Sequence, residues 1–215
     1  MSTITVVKKN DCIAIAADSL SSLGSSKDPA EYVVNHKKIL QVGESYIAIC
    51  GPTSLKLVLA DYFSGLNSDV SLHSVEEIFK VWKHLHIALK EEYHLNPMED
   101  EDDSFESSRM DVLIANQHGI FGVTAHRAVQ EFSRFYAYGN GREYALGAMY
   151  SSFYDECKTA KDIAQLGIQA AAEFDGSTGL PAILFSIPAT ASLLSPLQKH
   201  ANKRQAKTTK AKEAK

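Results

Sequence analysis

The sequence predicts an α+β fold, a four-layer αββα sandwich, and three observations predict it. Strand-like runs of alternating apolar residues come in groups, at the start, in the middle and near residue 185. Two pairs of helix-like segments separate those groups, so the order is strands, two helices, strands, two helices, strand. Runs of like elements indicate segregated layers rather than alternating βα units. Each helix shows an apolar face at helical spacing, and two sheets face to face, each covered by one helix pair, would bury all of these faces.

The elements follow in order. Ser2 to Val7, a turn at Asn10-Asp11, and Cys12 to Asp18 read as a β-hairpin. Lys38 to Val42 and Tyr46 to Cys50 read as two strands joined at Gly43-Glu44. Gly51-Pro52 stops the second, and Thr53 or Ser54 is placed to cap a helix bearing Leu55, Val58, Leu59, Tyr62, Phe63 and Leu66. A second helix starts near Ser74 with Val75, Ile78, Phe79, Trp82, Leu85 and Leu89 on one face. Glu99 to Asp103, with Glu106 beyond, repel one another and predict a solvated loop. Strands resume over 110–115, 120–123, 129–132 and 135–138. Gly139-Asn140-Gly141 breaks the chain before a third helix with Leu146, Met149, Tyr150 and Phe153. Thr159 to Asp162 forms a capping box opening a fourth helix with Ile163, Leu166, Ala170, Ala171 and Phe174. Ala182 to Ile187 is the last strand.

The 215 residues suit one domain, taken as residues 1–190, followed by a basic tail over 191–215 expected to be disordered. No apolar run approaches the ~20 residues of a membrane span, and no signal peptide opens the chain. Cys12, Cys50 and Cys157 lack metal-ligand spacing and read as reduced and mostly buried, which predicts a cytoplasmic protein. The net charge of -4 hides an asymmetry. Residues 198–215 carry seven Lys/Arg and one Glu, a net +6, which leaves -10 on the remainder. An acidic body argues against a nucleic-acid-binding core. The chain has no Gly-x-x-x-x-Gly-Lys-Ser/Thr loop, so it supplies no ATPase of its own. The eight His show no ligand pattern; His84 and His86 diverge on a helix. No catalytic metal and no cofactor is expected.

Ser2 stands directly behind Met1, and small second residues favour Met removal. A terminal Ser would place a hydroxyl beside a free α-amine, a nucleophile carrying its own base. Around that end stand Ser2-Thr3-Ile4 and Ile15-Ala16-Ala17-Asp18-Ser19. Further on come Lys37-Lys38-Ile39, Ala48-Ile49-Cys50-Gly51, Tyr138-Gly139-Asn140-Gly141 and Ala172 to Gly179. In order and spacing these resemble the proteasome β-subunit and HslV superfamily of N-terminal nucleophile hydrolases over residues 2–187. The long acidic loop looks most like the betaproteobacterial proteasome-homologue subgroup.

The resemblance implies roles. Ser2 would be the nucleophile of a peptidase. Lys38 would depress the proton affinity of the hydroxyl and amine, with Asp18 pairing it. Gly51 would offer an oxyanion donor. Ser21 and Ser22 would line the substrate strand, with Gly51. Asp175 and Thr178 match the Asp-x-x-Ser element around the terminal amine. The nucleophile is Ser where the family has Thr, and Asn140 stands where it has Ser. Taken singly, Asp18 reads as a turn residue, Lys38 as a surface charge, Gly51-Pro52 as punctuation, Asn140 as a helix cap and Asp175 as a helix end; the set in family order favours catalysis. The resemblance further implies a homo-oligomeric double ring of six- or seven-subunit rings, peptide or unfolded-protein substrates and an ATPase unfoldase partner. A catalytically silent ring or scaffold protein and a small-molecule N-terminal nucleophile amidase are the competing readings.

Overall fold

The structure, a computed structural model, describes residues 2–23, 26–66, 70–98 and 102–190. The tail 191–215 and Glu99, Asp100 and Glu101 of the acidic loop lie outside the described residues.

The first hairpin forms as β1 (Thr3–Lys9) and β2 (Cys12–Ala17), turning at Asn10, whose φ of 53° is one that Asn tolerates. Then come β3 (Ser21–Leu23), β4 (Ser26–Asp28), β5 (Ile39–Val42), β6 (Ser45–Cys50), α1 (Thr53–Gly65) and α2 (Val75–Glu91). The second half runs β7 (Asp111–Asn116), β8 (Gly119–Val123), β9 (Val129–Phe132), β10 (Phe135–Gly139), α3 (Arg142–Ser152), α4 (Ala160–Phe174) and β11 (Ile183–Pro188).

One sheet has the order β10-β1-β2-β11 and the other β5-β6-β7-β8-β9, with every neighbouring pair antiparallel. Three apolar clusters fill the three spaces of a four-layer αββα sandwich. Leu59, Trp82 and Leu85 join α1 and α2 to Ile47 and Ile114 of the five-stranded sheet. Ile4, Ile13 and Ile15 meet Ala48, Leu113 and Ile120 between the sheets. Val7, Ala14 and Ala16 lie under Met149, Ile163 and Ile168 of α3 and α4.

Three expectations are corrected. The cap of α1 is Pro52, with no side-chain bond, because the helix already begins at Thr53 and so takes in both Thr53 and Ser54. Phe79, Tyr150 and Phe174 are exposed, since only about a third of each helix circumference faces its sheet. Cys12 and Cys50 are half-buried and Cys157 is exposed. The short hairpin of β3 and β4 was not legible, because its residues are mostly polar and those of β4 are exposed. Ser74 capping Glu77 N, and the Thr159–Asp162 capping box, form as expected. The acidic loop is exposed over residues 102–106, yet Glu106 is anchored by Lys90 at 2.6 and 2.7 Å and by His86 at 3.1 Å.

Candidate active site

The start of β1 is held on every side. Asp18 N–H donates to Thr3 O, and Thr3 N–H returns a bond to Asp18 Oδ1 at 3.0 Å. Ser2 O accepts from Asn140 N–H at 3.1 Å and from the Cys50 thiol at 3.6 Å. Gly139 makes the first of these contacts feasible. Its φ is +103°, and a Cβ there would lie 1.8 Å from Ser2 O, so only glycine lets β10 approach so closely. Ser2 is 5% exposed and lines a cavity together with Leu20, Ser21, Lys38, Ile49 and Gly51.

Asp18, at the end of β2, is fully buried and accepts four bonds. Lys38 Nζ and Thr3 N–H reach Oδ1 at 2.7 and 3.0 Å; Leu20 N–H and Gly179 N–H reach Oδ2, both at 3.1 Å. Burial pushes its carboxyl above the ordinary value, and Lys38 with the backbone donors oppose that. Lys38 Nζ also donates to Leu20 O at 2.5 Å, and its carbonyl accepts from Ile49 N–H. The cation is thus fixed in position between the two sheets.

A second polar chain runs behind Ser2. Gly141 N–H donates to Thr3 Oγ1 at 3.0 Å. Thr3 Oγ1 lies 2.6 Å from Thr178 Oγ1, which in turn donates to Asp175 Oδ2 at 2.5 Å. With Thr178 spending its proton on the carboxylate, Thr3 is the donor between the two hydroxyls. Ser177 Oγ also bonds both Asp175 oxygens. Against the burial that raises it, these hydroxyl bonds hold the Asp175 carboxyl below its usual value.

The structure therefore brings Ser2, Asp18, Lys38, Gly51 and Ser21 to one place. Asp175 and Thr178 reach it through Thr3. Asn140 contributes its backbone N–H to Ser2 O, while the residue itself is exposed. Ser22 pairs with Lys27 in the β3–β4 hairpin, and its side chain lies outside the description. Gly51 follows β6 where a Cβ would meet Arg109 O at 2.8 Å. Sequence reasoning assigned no role to Thr3, Ser177 and Gly179, although they lie in the matching segments, and none to Leu20; all four contribute through backbone groups or hydroxyls. It also missed His36 and Lys56 on the cavity wall. Lys56 Nζ donates to Asn35 O, and burial, with Lys38 nearby, lowers its proton affinity. His36 Nδ1–H donates to Val33 O at 2.7 Å.

The sandwich and the polar knot at the start of β1 define the proteasome-type class of N-terminal nucleophile hydrolase folds. A eukaryotic HslV from Trypanosoma brucei shares the fold, with a TM-score of 0.59 and 15% identity over 86% of this chain and 99% of that one. A Thiobacillus denitrificans bacterial proteasome homologue (BPH) is 53% identical, with a TM-score of 0.84 over 88% of this chain and 100% of that one. The same protein in complex with epoxomicin matches at 53% identity and a TM-score of 0.83, over 87% and 99% of the two chains. The chain belongs to the family of bacterial proteasome homologues. It matches no protein-family model and no curated protein.

Proposed function

We propose that this chain is a self-compartmentalising, proteasome-like endopeptidase whose nucleophile is Ser2, made N-terminal by removal of Met1. The observation that carries this reading is the buried Lys38–Asp18 pair, whose lysine lines the same cavity as Ser2 and Gly51. The relative found in complex with epoxomicin supports it.

Ser2 Oγ attacks the peptide carbonyl as its proton passes to the α-amine, whose ordinary pKa of about 7.7–8.0 leaves a neutral fraction near pH 7. The carbonyl oxygen becomes an oxyanion facing the N–H of Gly51. The ammonium then protonates the departing amine, leaving an ester on Ser2. Water, deprotonated by the same amine, attacks that ester, and the ammonium returns its proton to Ser2 Oγ as the acid leaves. Lys38 stabilises negative charge developing on Oγ, and Asp18 keeps the lysine in place. Cys50 is a poor rival nucleophile: burial, ahead of the charge on Asp111, pushes its thiol up to about 11, so it stays protonated at neutral pH.

The enclosing assembly is a double ring of six- or seven-subunit rings, fed by an ATPase unfoldase. Both outer layers carry large exposed apolar side chains suited to subunit contacts, Leu57 and Phe79 on α1 and α2, Tyr144 and Phe174 on α3 and α4. Residues 1–190 form the hydrolase domain and 191–215 the tail. Among the described residues no helix is long and apolar enough to cross a membrane. Three unpaired cysteines fit a reducing compartment, the cytoplasm.

Intact mass with and without an epoxyketone inhibitor tests the reading. Loss of the Met mass plus one adduct, absent in Ser2→Ala, is the expected result. A free Ser2 terminus without adduct points to Asn140 or a missing activator, and a retained Met1 without adduct overturns the peptidase reading in favour of the silent ring.

A further inference from the structure

At the far end of β6 from Gly51, about 20 Å along the strand, three turns meet. Glu44 sits in the β5–β6 turn, His73 just ahead of α2, and His118 in the β7–β8 turn. One ligand-capable atom from each lies within 4.8 Å of the others. The two imidazoles stack, with centroids 4.0 Å apart and planes 30° apart.

What holds them there is a single buried side chain. Asn116 Nδ2 donates to Ser45 Oγ at 3.1 Å and to Leu72 O at 2.7 Å. Asn116 Oδ1 accepts from His118 N–H at 2.9 Å and Gly119 N–H at 3.2 Å. Ser45 and Leu72 are the chain neighbours of Glu44 and His73, and His118 is bonded directly. One amide therefore ties the chain at all three places, through the Ser45 hydroxyl beside Glu44, the Leu72 carbonyl beside His73 and the N–H of His118 itself. Outer bonds orient them further. Gln117 Nε2 donates to Glu44 Oε2 at 2.8 Å, and His73 N–H donates to Glu77 Oε2 at 3.2 Å.

We propose that Glu44, His73 and His118 form a binding site for a divalent transition metal of the zinc class. Two imidazoles and one carboxylate are a zinc donor set, and three protein ligands leave a fourth position for water or another group. Tetrahedral zinc with bonds of about 2.0–2.1 Å needs donor atoms about 3.4 Å apart. Closing from 4.8 Å asks only for side-chain rotation at exposed positions, because the chain is already tied at all three places. Gln117 supplies the outer hydrogen bond that orients a ligating carboxylate. The site is independent of Ser2 and of the peptidase reading.

Titration of the full-length, untagged chain with Co²⁺ and then Zn²⁺ tests it. The expected result is about one Co²⁺ per chain with the strong visible absorption of four-coordinate cobalt, displaced by micromolar Zn²⁺. His73→Ala and His118→Ala each weaken zinc at least about tenfold, Gln117→Ala does so by up to about tenfold, and His84→Ala does not change it. All of these but Gln117→Ala alter exposed side chains, and unchanged circular dichroism checks folding. Absence of saturable zinc binding below roughly 100 µM, or wild-type affinity in His73→Ala or His118→Ala, overturns the site.

Discussion

Two buried side chains, Asp18 and Asn116, stand at opposite ends of the sandwich and make the same number of bonds. Each is fully buried and each joins segments far apart in the chain. Asp18 accepts all four of its bonds, from Thr3, Leu20, Lys38 and Gly179. Asn116 donates two and accepts two. The neutral amide balances donors and acceptors and needs no counter-ion, so it serves to tie segments together. The carboxylate gathers donors alone and requires a cation, and that cation lies in the cavity with Ser2. In this molecule the buried charge stands beside the proposed nucleophile, and the buried amide ties a cluster of turns together.

The comparison can be broken most decisively at the proposed nucleophile. Ser2→Ala is expected to lower peptide turnover at least about a thousandfold with no change in melting temperature. Ser2→Thr is expected to keep or raise it, since the extra methyl restricts χ1. A large loss in Ser2→Thr would count against Ser2.

The two knots separate next. Asp18→Ala leaves Lys38 buried without its partner and should cost about 3–5 kcal/mol in urea unfolding, with activity lost. Asn116→Ala should cost about 1–3 kcal/mol and leave turnover per folded molecule intact. Equal effects on turnover would erase the distinction drawn above.

Gly139→Ala should cost about 1–3 kcal/mol from its positive φ, and should impair turnover by displacing Ser2 O. Lys56→Glu sharpens the cavity wall. The native chain is expected to favour an acidic residue before the cleaved bond over a basic one, and the variant to narrow or invert that ratio, read as kcat/KM for paired peptides. Unchanged ratios would place Lys56 outside the contact.

The smallest effect concerns pH. Burial, aided by Arg127 and Lys90 and opposed by Glu106, holds His86 below its ordinary value of 6.5. The unfolded chain then binds that proton more readily than the folded one. Its contribution is complete above about pH 6.5 and declines as pH falls toward the folded value. Melting curves of His86→Gln should lose that part of the slope between pH 7 and 5.

The layers were legible because their signals are local. Trp82, Leu85 and Leu89 recur at helical spacing, and Ile13 and Ile15 alternate, so periodicity alone placed α2 and β2. Asp18, Lys38 and Gly51 were legible only as a set in order. That set implied the Asp18–Lys38 pair, but the bond from Gly179 N–H to Asp18 was not legible, since the two are 161 residues apart. Thr3 reads as one more alternating strand residue, and nothing local announces its link to Thr178. His73 and His118 are 45 positions apart in the sequence, and only the turns gathered by Asn116 make them neighbours.

The hydroxyl of Thr3 bears on how accurately the chain must be trimmed. Successive strand residues project to opposite faces. Removing one residue too many would present a terminal threonine, which also carries a hydroxyl beside a free amine. Its oxygen, however, is already committed to Gly141 and Thr178 on the other side of the strand. Overtrimmed chains would carry the right functional group in the wrong register, so the activity of a preparation should follow the fraction of molecules that begin at Ser2.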